Sequence, residues 1–270
     1  MVHLPATTAV ECDLKSGWLT IWFNQPDSRN ALSQELTGDL MRVLQAVENS
    51  RAVRGITLRG RGGVFCAGGD LKSFQSNHQG KGATRDAIVE MSKRGAVMFD
   101  MVNTMPQVVV AVIEGAAMAG GFGLACCADV VICEVGAKFA MTETAIGLTP
   151  AQISPFVIQK LGYATARRLM LTAARFDGRQ ALAFGFADQV ADGVDALNAA
   201  EMDIRKRVLA CAPGAIADLK ALIHALPGLD RRASVQMAAE NFADRLLSDE
   251  GKEGVASFLE KRKPRWVVDP

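Results

Sequence analysis

Apolar residues follow two patterns along the first half of the chain: short continuous runs, typical of buried strands, and a helical spacing. Short apolar runs at 18–23, 55–59 and 107–113 are bounded by turn residues and predict buried strands. From Leu36 to Val47 the apolar residues recur every three or four positions. This spacing predicts an amphipathic helix to about residue 50, with Ser33 as its N-cap.

The second half changes from this alternation to a mostly helical pattern. Residues 84–103 predict a further helix, and 129–133 and 138–141 predict two short strands. Beyond Pro155 the spacing is helical almost to the end, with breaks at Gly185 and Pro213. We therefore expect an α/β core over residues 1–195 and a helical C-terminal region over 196–270.

Glycine-rich turns follow two of the apolar runs, at residues 68–69 and 115–123 (GAAMAGGFG). A turn from a buried strand into a helix leaves unpaired N–H groups at the positive end of the helix dipole. Such groups bind a phosphate or a developing oxyanion. If the two turns converge in space, one N–H from each can hold a single carbonyl oxygen.

Composition excludes several classes of function. The 270 residues have a net charge of +1, with 49% hydrophobic and 22% charged residues, so no strong field favours nucleic acid or an anionic membrane. Six cysteines without a CxxC pair predict buried free thiols in a reducing compartment. The first residues do not resemble a signal peptide, and no apolar run is long enough to span a bilayer, so we expect a cytoplasmic enzyme.

Other catalytic and cofactor motifs are weak. The three histidines, His3, His78 and His224, lack metal-ligand spacing, so no metal site is expected. Ser154 has no GxSxG context, which disfavours a Ser-His-Asp hydrolase. The 119–123 segment is not a GxGxxG dinucleotide motif.

Five segments together resemble the crotonase (enoyl-CoA hydratase/isomerase) superfamily, and they occur in the order found in that family. They are residues 25–32 (QPDSRNAL), 65–71 (FCAGGDL), 113–121 (IEGAAMAGG), 139–150 (FAMTETAIGLTP) and 253–262 (EGVASFLEKR). The resemblance implies a spiral of ββα units with a C-terminal helical trimerisation region, assembled as a homotrimer or a dimer of trimers. It also implies an acyl-CoA substrate, with coenzyme A as part of that substrate and no separate cofactor.

The same resemblance assigns roles to particular residues. The N–H groups of Ala67 and Gly120 would bind the thioester oxygen, where enolate charge develops. Glu114 matches a structural position of the family. The positions implied in substrate and coenzyme A binding are Arg29, Ala67, Gly69, Asp70, Leu71, Lys72, Gly120, Phe258 and Lys261, the last two toward the coenzyme A of a neighbouring subunit.

One departure from the family bears on the mechanism. Typical hydratases of this family carry two glutamates, and here Gly123 stands at the first position and Glu143 at the second. A buried carboxyl at Glu143 should have a raised pKa, which suits an acid–base catalyst. Three alternatives follow: a hydratase using Glu143, an isomerase moving the double bond with Glu143 alone, or an acyl-CoA-binding protein without activity.

The segment after Glu143 resembles one subgroup of this superfamily. Residues 147–158 (GLTPAQISPFVI) and 174–178 (ARFDG) are similar to bacterial hydratases of branched glutaconyl-CoA substrates, such as 3-methylglutaconyl-CoA and isohexenylglutaconyl-CoA. These substrates carry a distal carboxylate, which could help to orient the attacking water. The sequence therefore favours hydration of a branched, glutaconyl-type enoyl-CoA in leucine or terpene catabolism.

Overall fold

The main sheet has six strands, and all but the first pair of neighbours run parallel. The computed structural model describes residues 2–70 and 84–268. In this sheet the strands follow the order β1-β2-β3-β4-β6-β9, and only β1 and β2 are antiparallel. A smaller sheet, β5-β7-β8, lies beside it. The strands are β1 (Val10–Lys15), β2 (Trp18–Phe23), β3 (Gly55–Gly60), β4 (Val108–Ile113), β5 (Ala116–Met118), β6 (Val130–Glu134), β7 (Lys138–Ala140), β8 (Arg175–Asp177) and β9 (Gln189–Ala191).

Ten α-helices occur in the described part of the chain, four of them consecutive at the C-terminal end. They are α1 (Gln34–Val47), α2 (Arg85–Thr104), α3 (Gly120–Cys126), α4 (Ser154–Leu161), α5 (Tyr163–Thr172), α6 (Gly178–Ala183), α7 (Val194–Ala210), α8 (Pro213–Ala225), α9 (Arg231–Leu247) and α10 (Asp249–Leu259). The Ser33 hydroxyl caps α1 by accepting the Leu36 N–H at 3.1 Å, as its sequence pattern predicts.

The α/β fold with C-terminal helices confirms the predicted class. All five predicted strands and both early helices occur within a few residues of their expected bounds. The prediction misses β1, although its alternating apolar and polar residues, VECDLK, carry a strand signal. It also misses β5, which lies within the glycine-rich turn, and β8 and β9, which interrupt the stretch predicted as helical beyond Pro155.

Helix α7 packs directly on the main sheet. Its Leu197, Val208 and Leu209 are buried against Val110 and Val112 of β4. The expected boundary at residue 195 falls in the first turn of this helix. The helical region therefore begins with an element that completes the sheet's hydrophobic core.

The six cysteines are free thiols, of which Cys66, Cys126, Cys127 and Cys133 are buried. Burial raises the pKa of the Cys66 thiol to about 12, so it stays protonated and unreactive. No single helix in 2–70 and 84–268 is long and apolar enough to cross a membrane; a bent pair, α7 with 213–228, passes by length and composition alone.

Candidate oxyanion and acid–base site

The two glycine turns lie side by side, held by backbone hydrogen bonds. Cys66 accepts the Met118 N–H at 2.9 Å and donates its own N–H to the Ala116 carbonyl at 3.1 Å. A Cβ atom built on Gly68 would lie 2.8 Å from the Ala119 Cβ and 3.4 Å from the Gly120 nitrogen. Only glycine permits this approach at position 68, where φ is +96°. The expected convergence of the turns is therefore present.

The backbone donors in these turns differ from those expected. The Ala67 N–H donates to the Arg29 carbonyl at 3.0 Å, so it is already used within the protein. In the described part of the chain the Gly69 N–H has no acceptor. Its nitrogen is 3.7 Å from a Cβ built on Gly120. The available donor of the first turn is therefore the Gly69 N–H and not the predicted Ala67 N–H, because the Ala67 N–H is already bonded to the Arg29 carbonyl.

The second donor is at the start of α3. Gly120 is the first residue of this helix, and its N–H has no acceptor among the described residues. The first N–H groups of a helix carry its partial positive charge. Gly69 and Gly120 together therefore present two unpaired donors at one place, which is the arrangement that stabilises an oxyanion.

Glu143 is joined to this place through the strand that precedes it. The Ala119 N–H donates to the Ala140 carbonyl at 2.7 Å, three residues before Glu143. Glu143 then begins a short 3₁₀ helix, Glu143–Ile146, which ends at Gly147 with φ of +78°. The Thr144 hydroxyl fixes that helix by donating to the Met170 carbonyl of α5 at 3.0 Å.

The Glu143 carboxyl is half-buried and only partly satisfied. Its Oε2 atom is buried without a hydrogen-bond partner in the described structure. Burial raises the pKa of this carboxyl above its ordinary value of 4.5, against a smaller lowering by its own backbone N–H. A buried oxygen without a partner is unusual in a folded protein and marks a group that can exchange a proton with a ligand.

Gly123 lies one turn along α3 from Gly120, on the same side of the helix. A Cβ built on Gly123 would be 2.1 Å from Cγ2 of Ile153 and 2.4 Å from its Cβ. Ile153 is 3% exposed and precedes α4. The space in which a glutamate at position 123 would begin is therefore filled by an apolar side chain.

The other predicted binding residues are spread over the molecule. Arg29 is exposed, with φ of +55°, and its carbonyl bond to Ala67 sets it beside the first turn. Asp70 is partly buried at the end of that turn, whereas Leu71 and Lys72 lie outside the described residues. Phe258, in α10, is 84% exposed, and Lys261 follows that helix. For these last two the expected role involves a second subunit and remains a prediction.

Glu114 has the structural environment that its sequence position implies. Its carboxylate pairs with the buried Arg59 guanidinium at 2.8 Å. Arg59 also donates to Asn198 of α7 at 2.7 Å, so one side chain connects β3, the end of β4 and α7. The Glu114 carbonyl accepts the Phe65 N–H at 3.2 Å, which aligns the strand leading into the first turn.

Sequence reasoning missed Gly69 as a donor, Ala119 as the residue that turns the chain into α3, and Ile153 as the neighbour of Gly123. The last two depend on tertiary contacts that no local signal reveals. No cluster of three or more His, Cys, Asp or Glu residues suited to a metal ion occurs in 2–70 or 84–268.

Comparison with known proteins agrees with this fold. The enoyl-CoA hydratase/isomerase family model matches residues 13–268. A Thermus thermophilus protein provisionally named an enoyl-CoA hydratase is 34% identical over 91% of this chain and 96% of its own. The rat mitochondrial methylglutaconyl-CoA hydratase is 28% identical over 93% of this chain and 79% of its own. The solved structure of Pseudomonas aeruginosa AtuE superposes with a TM-score of 0.93 and 40% identity, covering 97% of this chain and 100% of that one.

These matches and the paired glycine turns define an enzyme of the crotonase superfamily. Within it, the chain belongs to the enoyl-CoA hydratase/isomerase family.

Proposed function

We propose that this enzyme adds water to the 2,3 double bond of an enoyl-CoA thioester, with Glu143 as its acid–base group. The observation that carries the proposal is the joint presence of two unpaired N–H donors, at Gly69 and Gly120, and a carboxyl of raised pKa. The two donors suit a thioester oxygen that gains negative charge. The carboxyl suits the transfer of a proton to and from carbon.

The reaction starts with ionised Glu143. This carboxylate takes a proton from water as the water oxygen bonds to C3, and the electrons of the double bond move to the thioester oxygen. The N–H groups of Gly69 and Gly120 stabilise the resulting enolate, each by about 3 kcal/mol. Glu143 then gives the same proton to C2, which restores the thioester carbonyl and the carboxylate. One carboxyl suffices because both transfers occur on one face of the substrate.

We further propose that the acyl group is branched and of glutaconyl type, with a distal carboxylate that orients the water. Two observations support this. Ile153, rather than a second acid, occupies the space beside Gly123. The relatives include the rat and mouse mitochondrial methylglutaconyl-CoA hydratases, each at 28% identity.

Isomerisation is the second candidate, and the single carboxyl favours it. Glu143 can remove an α proton and return it at the γ carbon, with the same two donors holding the enolate. A protein that binds acyl-CoA without turnover is the third candidate, and Gly123 in place of the family's first glutamate is the observation behind it.

One experiment distinguishes the three. The enzyme is incubated with 2-enoyl-CoA and 3-enoyl-CoA series, each with and without a distal carboxylate, while enoyl-thioester absorbance and product mass are followed. A mass gain of one water, faster on the carboxylated substrates, is the expected result. A shift at constant mass would assign an isomerase, binding without turnover would assign the third candidate, and equal turnover of non-carboxylated substrates would refute the glutaconyl preference.

We also propose that coenzyme A enters only as part of the substrate, that no further cofactor is used, and that the enzyme is a cytoplasmic homotrimer or dimer of trimers. Exposed apolar side chains support the assembly. Phe242 and Leu247 of α9 are 68% and 70% exposed, and Phe258 and Leu259 of α10 are 84% and 74% exposed. Clusters of large exposed apolar residues are typical of interfaces.

A further inference from the structure

Ala119, immediately before the Gly120 donor, has a backbone conformation that alanine rarely adopts. Its φ is +49° and its ψ is −122°. Those angles match the first central residue of a type II′ turn, a position dominated by glycine. A non-glycine residue in such a region is strained and persists only where its surroundings hold it there.

The surroundings hold both peptide groups of Ala119. Its N–H donates to the Ala140 carbonyl at 2.7 Å, and its carbonyl accepts the Gly123 N–H at 3.1 Å, which is the first hydrogen bond of α3. The residue before it, Met118, donates to Cys66 at 2.9 Å. The peptide before Ala119 is therefore held to β7, and the peptide that carries the Gly120 N–H is held to α3.

The methyl group of Ala119 contacts the other turn. A Cβ built on Gly68 would approach the Ala119 Cβ to 2.8 Å, so the methyl fills the space that a side chain at position 68 would need. Gly68 itself has φ of +96° and precedes Gly69, the donor of the first turn. Alanine at 119 and glycine at 68 thus form a close contact between the two residues that precede the two donors.

We propose that Ala119 is a positioning residue, whose strained backbone and methyl contact with Gly68 fix the direction of the Gly120 N–H relative to the Gly69 N–H. The inference rests on the proposed function, since it assumes that these two groups bind the thioester oxygen. Glycine at 119 would adopt the same angles without strain, but it would also allow others and would remove the contact with Gly68. The Gly120 N–H would then point in a wider range of directions, and oxyanion stabilisation depends strongly on donor direction.

The test is Ala119→Gly, with Ala173→Gly as a matched control. Ala173 is another alanine at positive φ, +47°, at the C-cap of α5, and it takes no part in either turn. Glycine relieves strain at both positions, so both variants should keep or raise their melting temperature. Ala119→Gly should lower kcat by about tenfold with KM little changed, because losing a donor altogether costs about 100-fold or more. Ala173→Gly should keep the wild-type kcat.

A second readout is independent of turnover. An aryl-conjugated enoyl-CoA absorbs at longer wavelength when its thioester carbonyl is polarised, so its bound spectrum reports the two donors directly. Ala119→Gly should shift this band back toward its position in water, whereas Ala173→Gly should leave it unchanged. An unchanged kcat and band in folded Ala119→Gly, or a fall in kcat matched by a fall in stability, would overturn the proposal.

The same readout separates this inference from the proposed function. If the wild-type protein turns over no enoyl-CoA, the hydratase assignment fails. The band shift and its loss in Ala119→Gly would still support the positioning role, and no shift in the wild-type protein would refute it.

Discussion

Glu143 shows how one residue can be suited to chemistry and unfavourable for stability. Its buried Oε2 has no partner in the described structure, and burial raises the pKa of the carboxyl. The folded state therefore holds the proton more tightly than the unfolded chain does. As pH rises through the folded pKa, ionisation of Glu143 lowers the free energy of unfolding.

Replacing Glu143 with Gln should therefore separate activity from stability. We expect kcat to fall by about 10²- to 10⁴-fold, because the only proposed acid–base group is lost. At neutral pH the melting temperature should rise, and the gain should vanish at pH values below the unfolded pKa, where the wild-type carboxyl is protonated. Calorimetry from pH 4 to 8 and steady-state kinetics measure both effects. Full activity in the variant would show that Glu143 is not the base.

The wild-type pH profile offers a related test. Catalysis requires ionised Glu143, so kcat/KM should decline as pH falls, with its midpoint above the ordinary glutamate value of 4.5. The decline should disappear from the residual activity of Glu143→Gln. A midpoint at or below 4.5 would contradict a buried base.

Gly123 and Ile153 pack against each other, so restoring a glutamate at position 123 should require a change at position 153 as well. Gly123→Glu alone places its Cβ 2.1 Å from Ile153, so we expect a loss of about 3 kcal/mol in the free energy of unfolding. Ile153→Ala would leave a Cβ 2.4 Å away, so only Ile153→Gly makes room. The double variant Gly123→Glu/Ile153→Gly should fold better than the single one and add a second ionisation to the pH profile of hydration. Gly123→Ala/Ile153→Gly is its control, and a Gly123→Glu variant with wild-type stability would refute the pairing.

At the scale of elements, the Arg59–Glu114 pair connects the strands that carry the site. Arg59 is 6% exposed and Glu114 16%, and the pair joins β3 to the end of β4 and, through Asn198, to α7. Arg59 also faces the Glu201 carboxylate at 3.6 Å, so removing Glu114 takes away its shorter ion pair but leaves part of the buried charge compensated. We expect the Arg59–Glu114 pair to stabilise the fold and not to take part in the reaction, because it contacts neither the Gly69 nor the Gly120 N–H.

Glu114→Ala should therefore lower the free energy of unfolding by about 2 kcal/mol, the cost of losing charge-assisted hydrogen bonds, while leaving kcat per folded molecule close to that of the wild-type enzyme. Urea titration with parallel assays measures both quantities. Lys15→Ala, which breaks the exposed Lys15–Asp13 pair, is the control and should cost less than about 1 kcal/mol. A hundredfold fall in kcat of folded Glu114→Ala would instead assign Glu114 to the chemistry.

At the scale of the whole molecule, α9 and α10 present apolar surface that a single protomer does not cover. We expect sedimentation at three or six times the 28.8 kDa of one chain. Phe242→Asp should shift the population toward smaller species, because it places a charge in the proposed interface. Val194→Asp, at an exposed residue in the first turn of α7, should leave the assembly unchanged. A monomeric wild-type protein would refute the trimer.

Much of this molecule is evident in its sequence. Helical spacing of apolar residues locates α1 and α2, because burial of one face imposes it, and short continuous apolar runs locate β2, β3 and β4, which are buried on both faces. The motifs around the two glycine turns and Glu143 identify the family, and Gly123 shows that this chain departs from the hydratases with two glutamates. The sequence misses β5 because residues 116–118 fall in the glycine-rich turn, and it misses β8 and β9 because they lie in the stretch beyond Pro155 that is predicted as helical; β7 is equally short and is predicted.

Only the tertiary structure decided which groups work together. The sequence pointed to Ala67, but the Arg29 carbonyl, 38 positions away in the chain, takes its N–H and leaves Gly69 as the available donor. The sequence showed an absent acid at Gly123, but not that Ile153 fills its space. The physical reason is the same in each case: local spacing determines which face of an element is buried, whereas the availability of a hydrogen-bond donor depends on neighbours brought together by folding.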